Sequence, residues 1–109
     1  MKVVELPKSG PLLSTEADAI DVIGSLYGED ADWIAIPVER MASDVWQLKT
    51  RLAGLFVQKL LNYRLHPAFI GDLSAEIAAS DALRDYVREC NRRRDVLFVP
   101  TRAELDALL

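Results

Sequence analysis

The chain predicts an α/β fold: a single layer of mostly parallel β-sheet, about four strands, assembled from β-α repeats in one domain over residues 1–109. Three features carry that prediction. Short apolar runs alternate with longer segments of helical periodicity, in the order β-α-β-α-β-α-β-α. The runs at 33–38 (WIAIPV) and 67–71 (PAFIG) are apolar without alternation, the pattern of strands buried on both faces of a parallel sheet. Caps and breakers mostly fall between the periodic segments.

Residues 2–6 (KVVEL) make a first short strand, closed by Pro7-Lys8-Ser9-Gly10-Pro11. A helix is expected over about 15–27, with Thr15 as N-cap and Asp18 completing a capping box. Its apolar stripe is Ile20, Ile23 and Tyr27, with Ala17 and Leu26 beside it, and Gly28 suits the position after its end. In the strand at 33–38, Pro37 lacks an amide donor and should fray the ladder. Ser43 is expected to cap a long helix over about 44–63. Leu48, Leu52, Leu55, Phe56 and Leu60 keep helical spacing there, and Asp44 falls in the first turn, where the helix dipole favours a carboxylate. Gly54 inside that helix costs about 1 kcal/mol relative to alanine, which predicts a close contact with a strand or a subunit in return.

After the strand at 67–71 comes an interrupted helical region over about 74–93. Ser74 is the expected cap of its first part and Ser80-Asp81 of its second, whose apolar positions are Leu83, Tyr86, Val87 and Cys90. Residues 96–99 (VLFV) form the last strand. Thr101 and Glu104 then predict a capping box for a terminal helix carrying Leu105, Leu108 and Leu109.

Half of the residues are hydrophobic and 28% are charged, enough for one core without disulfides or metals. The net charge of −4 argues against a polyanionic partner. Arg84, Arg88 and Arg92 recur every fourth residue and run into Arg93-Arg94, but Asp85, Glu89 and Asp95 interleave with them. A solvated face is expected there, and nucleic acid is not an expected partner. No apolar run is long enough to span a bilayer, and MKVVELPKSG lacks the apolar stretch of a secretory signal. With one cysteine, Cys90, and so no internal disulfide, the expected location is the cytoplasm, with no membrane association. One histidine, His66, placed before a proline, suits a turn or surface position. One histidine and one cysteine make no zinc spacing and no nucleophile–base motif, and the dispersed glycines make no phosphate loop, so no metal or cofactor is predicted.

A parallel sheet sorts the polar residues by rim. Strand ends and the helix starts that follow them share one rim, where open α/β sheets bind ligands. Glu39, Arg40, Ser43, Asp44, Asp72 and Ser74 belong there. Asn62, Tyr63, Arg64, Glu89, Asn91 and Arg92 belong to the opposite rim. Gln58 and Asn62 share one helix face, as do Lys59 and Tyr63. Arg64 and the amide side chains are expected to bind the helix's terminal carbonyls, with Glu89 and Asn91 joining them in a polar network.

The segments QKLLNYR (58–64), AFIGDLS (68–74) and LRDYVRECNRRRDVLFV (83–99) resemble a bacterial family, domain-of-unknown-function (DUF) family 4180, with the pattern LxTxxAG-QK-NYR-GD-S-L-D-ESN-FFV. Leu48, Thr50, Ala53, Gly54, Gln58, Lys59, Asn62, Tyr63, Arg64, Gly71, Asp72, Ser74, Leu83, Asp85, Glu89, Asn91, Phe98 and Val99 match it. The resemblance runs from about Asp18 onward. Val45-Trp46 stands where the family has paired phenylalanines, Arg51 where it has a glycine and Cys90 where it has a serine, and one short N-terminal strand is missing. The family carries no established activity. In fold the chain is similar to STAS-like domains, the group of bacterial anti-sigma-factor antagonists. Those exchange protein partners when a serine at the start of the helix after a central strand is phosphorylated. That resemblance implies a phosphosite at Ser43, although Met41-Ala42-Ser43-Asp44 lacks the Asp-Ser-Ser-Gly type of signature.

The expected function is a non-enzymatic protein-interaction or regulatory module. A homodimer is expected if helices cover mainly one sheet face and leave the other for a second copy. The alternative is a small-molecule-binding protein or an enzyme working at the strand-exit rim. Candidate ligand- or partner-binding residues are Asp44, Asp72, Ser74, Gln58, Asn62, Tyr63, Arg64, Glu89 and Asn91; no residue is assigned a catalytic role.

Overall fold

The computed structural model describes residues 1–109. Strands β1 (Val3–Glu5), β2 (Trp33–Pro37), β3 (His66–Ile70) and β4 (Leu97–Val99) form one sheet in chain order, with every neighbouring pair parallel. The register sets Val3, Trp33 and His66 side by side, and Ala68 beside Leu97. Alternation then assigns each side chain to a face.

Ile34, Ile36 and Phe69 occupy one face, in a core with Ala19 and Val22 of α1 (Glu16–Ser25), Phe56 and Leu60 of α2 (Leu52–Asn62) and Leu83 of α4 (Asp81–Arg93). The short helix α3 (Ser74–Ala79) precedes α4. A sheet wound in sequential order by right-handed crossovers keeps its crossover helices on one side. The terminal helix α5 (Arg102–Leu108) is free of that constraint. Its Leu105 packs with Trp33, Ala35, Ala68, Leu97 and Val99 on the opposite face. The sheet face set aside for a second copy is therefore covered by the chain itself. Two arginines fasten α5: Arg102 Nη1 lies 2.7 Å from Glu5 Oε1 on β1, and Arg94 Nη2 donates to the Leu108 carbonyl at 2.9 Å.

Three expectations need correction. In α1 the sheet-facing positions are Ala19 and Val22, with Ile23 and Leu26 half-buried, whereas Ile20 and Tyr27 are 48% and 94% exposed. Packing in the main core selects Ala19 and Val22, while the capping box forms as expected: Asp18 N–H donates to Thr15 Oγ1 at 3.2 Å, and Thr15 N–H to Asp18 Oδ2 at 3.0 Å.

The long helix over 44–63 is also corrected. Ser43–Trp46 and Leu48–Thr50 are separate 3-10 turns, and Ser43 caps neither. Val45 and Trp46 are both buried, with the Trp46 ring edge-on to Phe69 at 5.3 Å. The Thr50 hydroxyl lies 2.8 and 3.1 Å from the Gln47 and Asp44 carbonyls and ties the two turns together. Arg51 follows in the left-handed region at φ 65° and turns the chain into α2.

Ser74 opens α3 as its first residue rather than capping it. Asp72 does the turning instead, its Oδ1 accepting from Ser74 N–H at 2.8 Å. The other expected caps form, with Ser80 Oγ accepting from Leu83 N–H at 3.1 Å and Thr101 Oγ1 from Glu104 N–H at 3.2 Å, but Glu104 does not reach back to complete the capping box expected at Thr101.

Candidate functional site

The strand-exit rim does not converge on one site. Gly71 lies at φ 141°, and a Cβ there would overlap Val38 Cγ2, so strand β3 leaves the sheet in tight contact with the segment after β2. Asp72 is exposed, and its hydrogen bonds from Ser74 hold its carboxyl below the usual range. It borders an apolar depression of about 230 Å³ that includes Phe69, Leu73 and Phe98 but neither Asp44 nor Ser74. Ser43 borders a different depression of about 620 Å³, with Trp46, Lys49, Glu76 and Ser80. Asp44 is exposed on its 3-10 turn. Arg40 is 8% exposed and turned inward, its Nε donating to the Pro11 carbonyl and its Nη1 to the Pro7 carbonyl, each at 3.1 Å. It anchors the segment after β1 and presents no open fork to a ligand.

The opposite rim is also divided. The end of α2 is closed by its own backbone: Leu65 N–H donates to the Leu60 carbonyl at 3.0 Å and Arg64 N–H to the Leu61 carbonyl at 2.9 Å, with Arg64 at φ 61°. That is a Schellman ending. The expected capping by the Arg64 and amide side chains is not present. Gln58 Nε2 instead donates to Asn62 Oδ1 at 2.9 Å, and Tyr63 is 60% exposed. The expected Glu89–Asn91 network does not form either. Glu89 Oε1 lies 2.6 Å from Arg92 Nη2, and that contact holds its carboxyl below the usual range. Asn91 points toward β4, where its Nδ2 donates to the Phe98 carbonyl at 3.3 Å and its Oδ1 accepts from Phe98 N–H at 2.8 Å. The Val99 carbonyl accepts from Gly71 N–H at 3.0 Å, so by alternation Phe98, although opposite Phe69, turns its backbone groups to the free edge. The Asn91 carboxamide occupies that edge as a neighbouring strand would.

Two of the sequence candidates do meet, in a groove between α2 and α4. A space of about 340 Å³ separates those helices. Val57, Leu61, Tyr86, Cys90 and Val96 supply its apolar lining, and Gln58, Glu89, Arg93 and Asp95 its polar one. Past Gly54 and Tyr86 it adjoins a stretch of about 300 Å³ beside Leu48, Arg51 and Leu55, which meets the Ser43 depression at Leu48. No atom comes within 4 Å of where a Gly54 Cβ would stand. No strand of this chain makes the close contact expected at this glycine, and bare α2 backbone lines the groove.

Burial raises the Tyr86 phenol and the Cys90 thiol above their ordinary values, so both are protonated at neutral pH. A protonated, half-buried thiol is a poor nucleophile. The groove's chemistry is therefore an apolar lining with hydrogen-bonding groups, suited to recognition. Tyr86, Cys90 and Arg93 were not among the sequence candidates; the signal for the groove was Gly54, a residue without a side chain on the helix that lines it.

His66, expected at a turn or the surface, begins β3 half-buried, its ring stacked on Trp33 at 4.9 Å and its Nδ1 2.9 Å from the Asp95 carbonyl. A carbonyl accepts only, so Nδ1 carries a proton. The arginine ridge of α4 is largely paired: Arg84 with Asp81 and Asp85, Arg92 with Glu89, and Arg93 with Asp95. No helix is long and apolar enough to cross a membrane.

A family model described as Domain of unknown function (DUF4180) matches residues 1–109. No curated protein and no solved structure matches the chain.

Proposed function

The chain belongs to the family of the Domain of unknown function (DUF4180), and from that premise we propose that it is a non-enzymatic protein-interaction module whose working surface is the α2–α4 groove. The observation that carries this is Gly54. Gly54 is the third residue of α2, nothing in the chain approaches it, and its bare backbone lines an apolar groove with Tyr86. Such a position admits a close-packed segment of a partner, as helix-in-groove recognition requires.

The STAS-like comparison supports interaction as the role, and the single-layer parallel sheet supports that comparison. It lends less to phosphorylation at Ser43, which is exposed on a 3-10 turn and begins no α-helix. The rim alternative is disfavoured because Asp44, Asp72 and Ser74 border no common cavity. The proposal sets the domain in the bacterial cytoplasm, in keeping with its one unpaired cysteine. Self-association has lost its original support, since α5 covers the second sheet face.

Gly54→Gln tests the proposal, because it fills the groove where there is room for a side chain. Affinity capture from native-cell extract should retain a partner on the wild-type protein and lose it on Gly54→Gln, with both proteins melting cooperatively. The captured partner should also slow alkylation of Cys90, which lines the groove. A partner held equally by both proteins, leaving Cys90 as reactive as before, would refute the assignment.

A further inference from the structure

The two edges of the sheet are treated differently. At β4 the outward backbone groups of Phe98 are bound by Asn91. At β1 the ladder to β2 uses alternate residues: the Lys2 carbonyl accepts from Trp33 N–H at 3.1 Å, and Leu6 N–H donates to the Ala35 carbonyl at 2.9 Å. Alternation turns the N–H and C=O groups of Val3 and Glu5 outward, and no side chain or loop bonds to them. A depression of about 230 Å³ adjoins this edge, lined by Leu6, Leu12 and Val22, with Asp18 and Asp21 from α1. Leu12 is 60% exposed beside it.

We propose that the β1 edge is a second docking surface, which takes an extended segment of a partner protein carrying apolar and basic side chains. The backbone supplies the ladder, as in strand addition to an open edge, and the depression receives an apolar side chain. Charge selects the rest. Asp18 and Arg40 are both engaged with this chain's own backbone and their charges offset each other, whereas Asp21 is exposed and belongs to no ion pair, which leaves the depression net acidic. A second copy is disfavoured because it would bring its own acidic depression, with another unpaired Asp21, to the shared edge. Like charges so placed repel.

The test uses two short peptides, one alternating valine with lysine and one alternating valine with glutamate, each titrated into the intact protein and followed by amide NMR. The lysine peptide should slow exchange of the Val3 and Glu5 amides, and the glutamate peptide should bind at least tenfold more weakly. Asp21→Lys, a substitution at an exposed position, should reverse that order. Gly54→Gln should change neither result, which separates this surface from the α2–α4 groove. Equal binding of the two peptides, or shifts confined to the groove, would overturn the proposal. So would Val3 and Glu5 amides that become protected with rising protein concentration and no peptide, because a second copy would then be the occupant.

Discussion

At the scale of the residue, backbone conformation decides more than side-chain chemistry. Gly71 and Arg51 are both held at positive φ, but with opposite consequences. At Gly71 the conformation is joined by the approach of Val38, so Gly71→Ala adds strain and overlap together and should cost about 3 kcal/mol. At Arg51 the left-handed turn between the last 3-10 turn and α2 is occupied by a residue with a Cβ. Arg51→Gly should relieve it and stabilise the fold by up to about 1 kcal/mol. Urea unfolding of the two variants checks both signs in one experiment. The glycine that the family carries at this position was legible in the sequence as a departure, but its meaning was not. A positive φ is imposed by how two elements join, and no local pattern announces that an arginine will accept it.

At the scale of the element, ends were more legible than middles. Thr15, Ser80 and Thr101 cap helices as their spacing predicts, because an N-cap is a bond between residues three apart and needs nothing from the rest of the fold. The 3-10 turns at 43–50 were hidden for the opposite reason. Leu48 continues the leucine spacing of α2 back into them, and burial of Val45 and Trp46 within the first turn breaks it. Asn91 is the clearest case of a role that sequence misplaces. It stands on the expected rim but serves the edge of β4 and not a polar network. Asn91→Ala should remove both bonds to Phe98, costing about 1–2 kcal/mol, and should accelerate exchange of the Phe98 amide. Light scattering should then show concentration-dependent association, since an uncovered edge pairs with other strands. Unchanged exchange at Phe98 would mean the carboxamide is dispensable.

At the scale of the whole molecule, α5 is what makes the sheet a closed two-sided core. Leu105 is fully buried against Trp33, Leu97 and Val99, and the Arg102–Glu5 pair joins the last helix to the first strand. That pair is exposed and contributes little by itself; the apolar contact holds the face shut. Leu105→Asp places a carboxylate where it has no partner and should destabilise by about 4 kcal/mol. An Arg102→Ala variant should lose less than about 1 kcal/mol. Thermal melts of the pair separate packing from charge. If Leu105→Asp melts like wild type, α5 is not part of the core.

The sequence by itself determined the class of fold, the order of elements along the chain, the burial of the two central strands on both faces and most helix caps. All of these are local, set by composition and spacing over a few residues. Tertiary structure decided which face of α1 is buried, where α2 begins, that α5 closes the second sheet face, and that Gln58 and Glu89 meet across a groove while Asp44 and Asp72 do not meet. Those outcomes depend on contacts between residues far apart in the chain, where the depth of the sheet and the width between helices choose among side chains that local pattern treats as equivalent.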